Sequence, residues 1–189
     1  MRYLNYLLLA IVLGAMQGCF PIIAAGVGTG ALLASDRRPA GIILEDQNIE
    51  NKALSQINAQ YKDTVHVNVT SFNRRVLITG QVPNKKIQTD IEKIVSNLTN
   101  IKAVNNELQI SSLANLSWRS NDGLITSNVK MRFLSNSQGF QPEHVKVVTE
   151  NSSVFLMGLV YHKEAEAAAN IASGSRGVER VVKVFEYLD

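Results

Sequence analysis

Along this chain the apolar positions switch between two spacings, and the switches come in the same order twice. Val65, Val67 and Val69 alternate with polar neighbours, the period of two that marks a half-buried strand. Asn73, Arg74 and Arg75 supply turn residues, and residues 76–82 read as the returning strand. Further on, Val145, Val147 and Val148 lead to a turn at Asn151, Ser152 and Ser153, after which residues 154–160 return. Val76, Gly80 and Val82 superpose without gaps on Val154, Gly158 and Val160.

Helical spacing brackets each strand pair. Ile49, Ala53 and Ile57 form an apolar stripe ahead of the first pair, and Ile125, Val129 and Phe133 form one ahead of the second. Behind the first pair, Ile87, Ile91, Ile94, Val95 and Leu98 recur at helical intervals, with Pro83 near the start, where its missing N–H costs little. Behind the second pair, residues 163–173 are alanine-rich and strongly helix-forming. Asn97 and Asn100 end one helix, Gly174 and Gly177 end the other, and closing strands follow at 101–110 and 178–187. The pattern predicts helix–strand–strand–helix–strand, twice. Each unit has about 65 residues, marginal alone but adequate once both helices cover one face of a three-stranded sheet. The ordered repetition of strand, turn, glycine and helix identifies an internal duplication. Pro39 and Gly41 discourage regular structure, so the first helix is expected to open at Glu45 and Asp46. The first helix of the second unit is expected over residues 122–135, with Asp122 as its cap.

The N-terminus follows another logic. Arg2 precedes an apolar run from Leu7 to Leu13 that is too short to span a bilayer, the order of a secretory leader. The single cysteine of the chain, Cys19, follows small Gly18. Leu13-Gly14-Ala15-Met16-Gln17-Gly18-Cys19 resembles a bacterial lipobox, in which the cysteine takes a diacylglyceryl group and becomes the mature N-terminus. Residues 1–18 are thus expected to be a signal peptide and 19–45 a lipidated N-terminus and flexible linker, followed by modules at 46–112 and 120–189. One cysteine also rules out a disulfide within the chain. Gly26-Val27-Gly28-Thr29-Gly30 lacks the preceding strand and glycine spacing of a dinucleotide cradle and reads as tether.

Composition adds mainly exclusions. A net charge of +3, from 19 Lys and Arg against 16 Asp and Glu, with few aromatics, does not describe a nucleic-acid-binding surface. His66, His144 and His162 have no Glu or Cys at metal-ligand spacing and read as isolated surface residues. No serine sits in a nucleophile elbow and no local motif places a carboxylate pair for acid–base work. The expectation is therefore a non-enzymatic protein without metal or cofactor.

Gly80-Gln81-Val82 and Gly158-Leu159-Val160 each close a second strand, and with the module order around them the chain resembles the BON-domain family. That family's hallmark is an αββαβ module with Gly-x-Val at the end of the second strand. Glu164-Ala165-Glu166-Ala167-Ala168-Ala169, the closing Gly177-Val178-Glu179-Arg180-Val181, and Asp36-Arg37-Arg38 ahead of the first module extend the likeness over the mature chain. The resemblance implies an α+β fold of two tandem αββαβ modules, each a three-stranded mixed sheet covered by two helices. It implies a non-enzymatic lipoprotein on the periplasmic face of the outer membrane. Such a protein binds anionic, phosphatidylglycerol-like phospholipid through the first helix of its second module. It supports outer-membrane integrity and is linked to the division site and the β-barrel assembly machinery. Pro21 stands near the lipidated position in place of the aspartate that retains lipoproteins at the inner membrane, in agreement with that address.

On the implicated helix, Leu124, Asn128 and Met131 follow one another at i, i+4 and i+7, with Ser127 between them and Lys130 and Arg132 flanking. Leu124 and Met131 suit apolar contact with lipid, and the two cations suit its phosphates. Leu124 stands where the family commonly has tryptophan, and Trp118 is the alternative aromatic anchor. Two other readings stay open: Leu124 and Met131 pack against the first module, or the modules are an adaptor that docks on an envelope assembly or division complex.

Overall fold

The structure, a computed structural model, describes residues 36–111, 116–136 and 139–189. Cys19, the expected signal peptide and the tether to residue 35 lie outside these residues, as does the side chain of Trp118.

The first module runs α1 (Ala40–Tyr61), β1 (His66–Phe72), β2 (Arg75–Val82), α2 (Lys85–Ser96) and β3 (Ala103–Ile110). The second repeats it with α3 (Leu116–Asn136), β4 (Val145–Glu150), β5 (Ser153–Val160), α4 (His162–Ser173) and β6 (Arg180–Tyr187). In each, the first two strands pair antiparallel and the third lies parallel to the second, so the sheet orders are β1-β2-β3 and β4-β5-β6. The element order is the one the periodicity predicts, and the α+β fold of two mixed sheets, each with two helices, is the one the family resemblance implies. The helical stripes do pack on the sheets. Ile49, Ala53 and Ile57 meet Val76, Ile78, Val82, Ile91 and Val95, while Ile125, Val129 and Phe133 meet Val154, Leu156, Val160 and the alanines of α4. Local chemistry sets the helix starts: Asn84 Oδ1 accepts the Ile87 N–H at 3.0 Å, and Glu164 Oε2 accepts the Tyr161 N–H at 2.9 Å.

Both first helices begin earlier than expected. α1 starts at Ala40 because Pro39 stands before the helix instead of inside it, and Gly41 falls in the first turn, whose N–H groups need no intrahelical partner. α3 starts at Leu116. Asp46 and Asp122 are therefore interior helical residues, and neither caps its own helix. Buried Asp46 accepts from Ser71 Oγ at 2.7 Å, from the N–H groups of Asn73 and Arg74 at 2.8 and 2.7 Å, and from Arg38 Nη1 at 2.9 Å. Asp122 accepts the N–H groups of Asn151 and Ser152 at 2.8 and 2.9 Å. Each aspartate clamps the two-residue hairpin turn of its own module, whose central residues have φ of 51° and 65° in one copy and 48° and 57° in the other. Such a turn favours asparagine in its first place and matches strand twist.

The Gly-x-Val pairs lie where β2 and β5 pass closest to the neighbouring strand. A Cβ on Gly80 would stand 2.0 Å from the His66 carbonyl oxygen, and one on Gly158 would stand 2.4 Å from that of His144. Val82 and Val160 are buried under the helices. His144 is correspondingly not a surface residue: it ends the short 3₁₀ turn Pro142–His144 and is buried, because β5 is pressed against it through Gly158. His162 is exposed at the start of α4, donating its N–H to Asp189 at 3.0 Å and stacking on Tyr187 at 3.9 Å between centroids.

The faces opposite the helices pack on each other. Phe72 and Leu77 of the first sheet join Phe155, Met157 and Val184 of the second in one buried cluster, so the layers run helix, sheet, sheet, helix. Polar pairs rim this seam. Asn73 Nδ2 donates to Glu186 at 2.8 Å, and Asn151, its counterpart in the other copy, donates to Gln109 at 3.2 Å. Gln109 and Glu186 hold the same register one residue past the glycine partner, so the contact is close to reciprocal. Buried Glu150 crosses the seam to accept from Asn68 at 3.0 Å and Gln81 at 2.8 Å.

Ahead of α1, Arg37 reaches across the seam. Its guanidinium binds both oxygens of Glu164 at 2.6 and 2.7 Å. The expected linker reached residue 45, but from Asp36 the backbone is placed by such contacts. Arg37's hydrogen bonds, partly opposed by burial, hold the Glu164 carboxyl below its ordinary range. A depressed carboxylate pKa in the fold contributes stability that is complete above the unfolded value and is lost as pH falls through the folded one. Thermal melting should therefore drop on acidification below about pH 4. Glu164→Gln should flatten that part of the profile, and an unaltered slope in the variant would contradict the assignment.

Candidate functional site

α3 presents two faces. Ile125, Val129 and Phe133 are spent on the core, as its sheet requires. On the outside, Leu124 is 71% exposed and Met131 69%, so neither packs against the first module, and that alternative reading is corrected. Leu134, 74% exposed and three residues beyond Met131, extends the ridge. Sequence reasoning missed Leu134, although its i+3 offset from Met131 was visible.

The polar members are not equally available. Lys130 is exposed. Arg132 is half-buried: its Nη1 donates to Ser175 Oγ at 3.1 Å, and its guanidinium lies over Gly174 at the C-terminal end of α4. Cations are favoured there by the exposed carbonyl groups. Asn128 Nδ2 donates to the Arg176 carbonyl at 3.4 Å, and Ser127 Oγ bonds back to the Gly123 carbonyl at 2.9 Å. Asn128, Met131, Arg132, Leu134 and Ser135 line a shallow open groove of about 420 Å³. Leu124, Ser127 and Lys130 lie outside that lining. The arrangement is an apolar ridge beside one tethered cation, Arg132, and one exposed cation, Lys130, suited to contact with a surface that offers both hydrocarbon and negative charge. Among the described residues, no helix is long and apolar enough to cross a membrane, and no group of His, Cys, Asp and Glu is placed to hold a metal ion.

Two αββαβ units joined sheet to sheet, with an exposed apolar ridge on the outer side of one helix, define a tandem-module α+β protein. The chain belongs to the BON domain family, whose model matches residues 45–112 and 121–189. It is 37% identical over 186 residues to the outer membrane lipoprotein DolP of Haemophilus influenzae, covering 96% of each chain. It is 32% identical over 155 residues to a 21 kDa hemolysin of Actinobacillus pleuropneumoniae, covering 81% of this chain and 79% of that one. Among solved structures, the C-terminal domain of CdsD, a structural protein of the type III secretion system of Chlamydia trachomatis, aligns over 78% of this chain and 98% of its own. That alignment has 13% identity and a TM-score of 0.30, a likeness too slight to bear on function. By its relationship to DolP, the chain is an outer-membrane lipoprotein of the BON-domain family.

Proposed function

We propose that this protein is anchored through acylated Cys19 at the periplasmic face of the outer membrane and binds anionic phospholipid with the outer face of α3. It works by binding and not by catalysis. The observation that carries the reading is the ridge of Leu124 and Met131, exposed at 71% and 69% although Ile125, Val129 and Phe133 already satisfy the core. Lys130 and Arg132 beside the ridge supply charge for lipid phosphate. Leucine in place of an interfacial tryptophan makes this contact weak, which suits a protein that its acyl chains already confine to a membrane. Support of outer-membrane integrity near the division site, alongside the β-barrel assembly machinery, is the role such a contact would serve.

A form lacking the acyl anchor should co-sediment with phosphatidylglycerol vesicles and not with phosphatidylcholine vesicles. Leu124→Glu should abolish co-sedimentation and leave the melting temperature unchanged, because the side chain supports no core contact. Undiminished binding by the variant would refute the assignment of α3. A form that ignores both vesicles yet captures an envelope protein would favour the adaptor reading.

A further inference from the structure

Residues 36–38 stand between the segment that carries Cys19 and the first module, and their side chains hold both modules at once. Arg38 serves the first: Nη1 lies 2.9 Å from Asp46, and the guanidinium sits 3.7 Å over the ring of Phe72, a member of the inter-sheet cluster. Asp36 keeps it there through hydrogen bonds of 2.8 and 3.1 Å. Arg37 serves the second: it pairs with both oxygens of Glu164, donates to the Leu159 carbonyl at 2.9 Å and lies 5.2 Å over the Tyr161 ring. Consecutive arginines thus bind opposite sides of the seam, on a backbone that runs directly into Pro39 and α1.

Among the described residues, the apolar cluster of the seam has five buried members, of which Phe72 and Leu77 come from the first sheet, with half-buried Val148, Leu159 and Val182 packed against it. Modules joined by so small an apolar contact move relative to each other unless something else holds them. A forked guanidinium–carboxylate pair supplies both strength and a fixed geometry. We propose that residues 36–38 form a clasp that keeps the two sheets docked, so that the root of the N-terminal arm governs whether the seam is closed. A displacement passed along the arm reaches Arg37 before it reaches α1, and withdrawal of Arg37 loosens the seam, leaving the contacts of Glu150, Glu186 and Gln109 to hold it, while each module keeps its own fold. The clasp does not depend on lipid binding by α3.

Neighbouring residues of β5 provide the test in the full chain. Met157 is buried in the seam, whereas Leu156 is buried under the helices of its own module. A thiol at either position reacts with a maleimide only when its own interface opens. Cys19 is the single native cysteine, so a chain without the added thiol sets the background. Arg37→Glu should speed labelling of Met157→Cys by at least about tenfold, the ratio set by one lost charge-assisted hydrogen bond, and leave Leu156→Cys at its slow rate. Adding Glu164→Arg should restore slow labelling by rebuilding the pair with reversed charge. An unchanged rate at Met157→Cys, equal acceleration at both positions, or no restoration by Glu164→Arg would overturn the clasp.

Discussion

Replacing Gly80 with alanine is expected to destabilise the protein by about 3–5 kcal/mol, through a backbone clash combined with a disfavoured dihedral. Gly80 has φ of +123°, outside the range that residues with a Cβ adopt readily. The added carbon would meet the His66 carbonyl oxygen at 2.0 Å, its carbon at 2.9 Å and Val67 Cα at 3.1 Å. All three are backbone atoms of β1, so no rotamer change relieves them. The strand would have to retreat, parting the Val67–Gly80 and His66–Gln81 pairings and opening the core beside buried Val82. At about 2–4 °C per kcal/mol for a body of this size, the melting temperature should fall by roughly 10 °C. Circular dichroism against temperature measures it. Gly158→Ala meets one carbonyl oxygen at 2.4 Å and carries no positive φ, so its loss should be the smaller. The reverse order would mean that the dihedral contributes little.

The contrast between these glycines was only half visible in the sequence. Gly-x-Val recurs at the same place in both repeats and announces a close approach, but a register alone does not reveal the sign of φ. The core stripes on α1 and α3 were legible because a period of 3.6 residues against a sheet leaves few choices. The sheet-to-sheet seam was harder to see. Its one clear signal is the unbroken apolar run Val154-Phe155-Leu156-Met157, which asks for cover on both faces of β5. β1 and β3 hide the same fact by placing Asn68, Glu107 and Gln109 on the seam side, where partners from the other module satisfy them. At the candidate site, spacing alone found Leu124 and Met131. It could not show that Arg132 is tied to Ser175, because that contact joins residues 43 apart in the chain. Arg37 and Glu164 lie 127 residues apart, beyond the reach of any local pattern.

The aspartates of the two hairpin clamps were each read from the sequence as helix-start residues, a misassigned role, and their inequality yields the second large effect. Asp46→Ala is expected to destabilise by about 3–5 kcal/mol, as removal of one partner from a buried charged network does. Asp46 is 3% exposed and is the acceptor for Ser71, two turn amides and Arg38. Without it, the amides of Asn73 and Arg74 face a buried space with no acceptor, in a turn whose left-handed residues are already disfavoured. Arg38, 12% exposed at the side chain, keeps Asp36 but loses its contact with the helix. Asp122→Ala removes two amide acceptors and should cost about 1–3 kcal/mol. Urea unfolding of the two variants should therefore rank Asp46→Ala well below Asp122→Ala in midpoint. Combining Asp46→Ala with Arg38→Met should cost less than the sum of the two single changes, since either alone already removes the Arg38–Asp46 contact; such coupling is read from the double-mutant cycle. Equal midpoints for the single variants, or a fully additive cycle, would show that Arg38 contributes nothing through Asp46. Arg38 would then hold the first module through Asp36 and the ring of Phe72 alone.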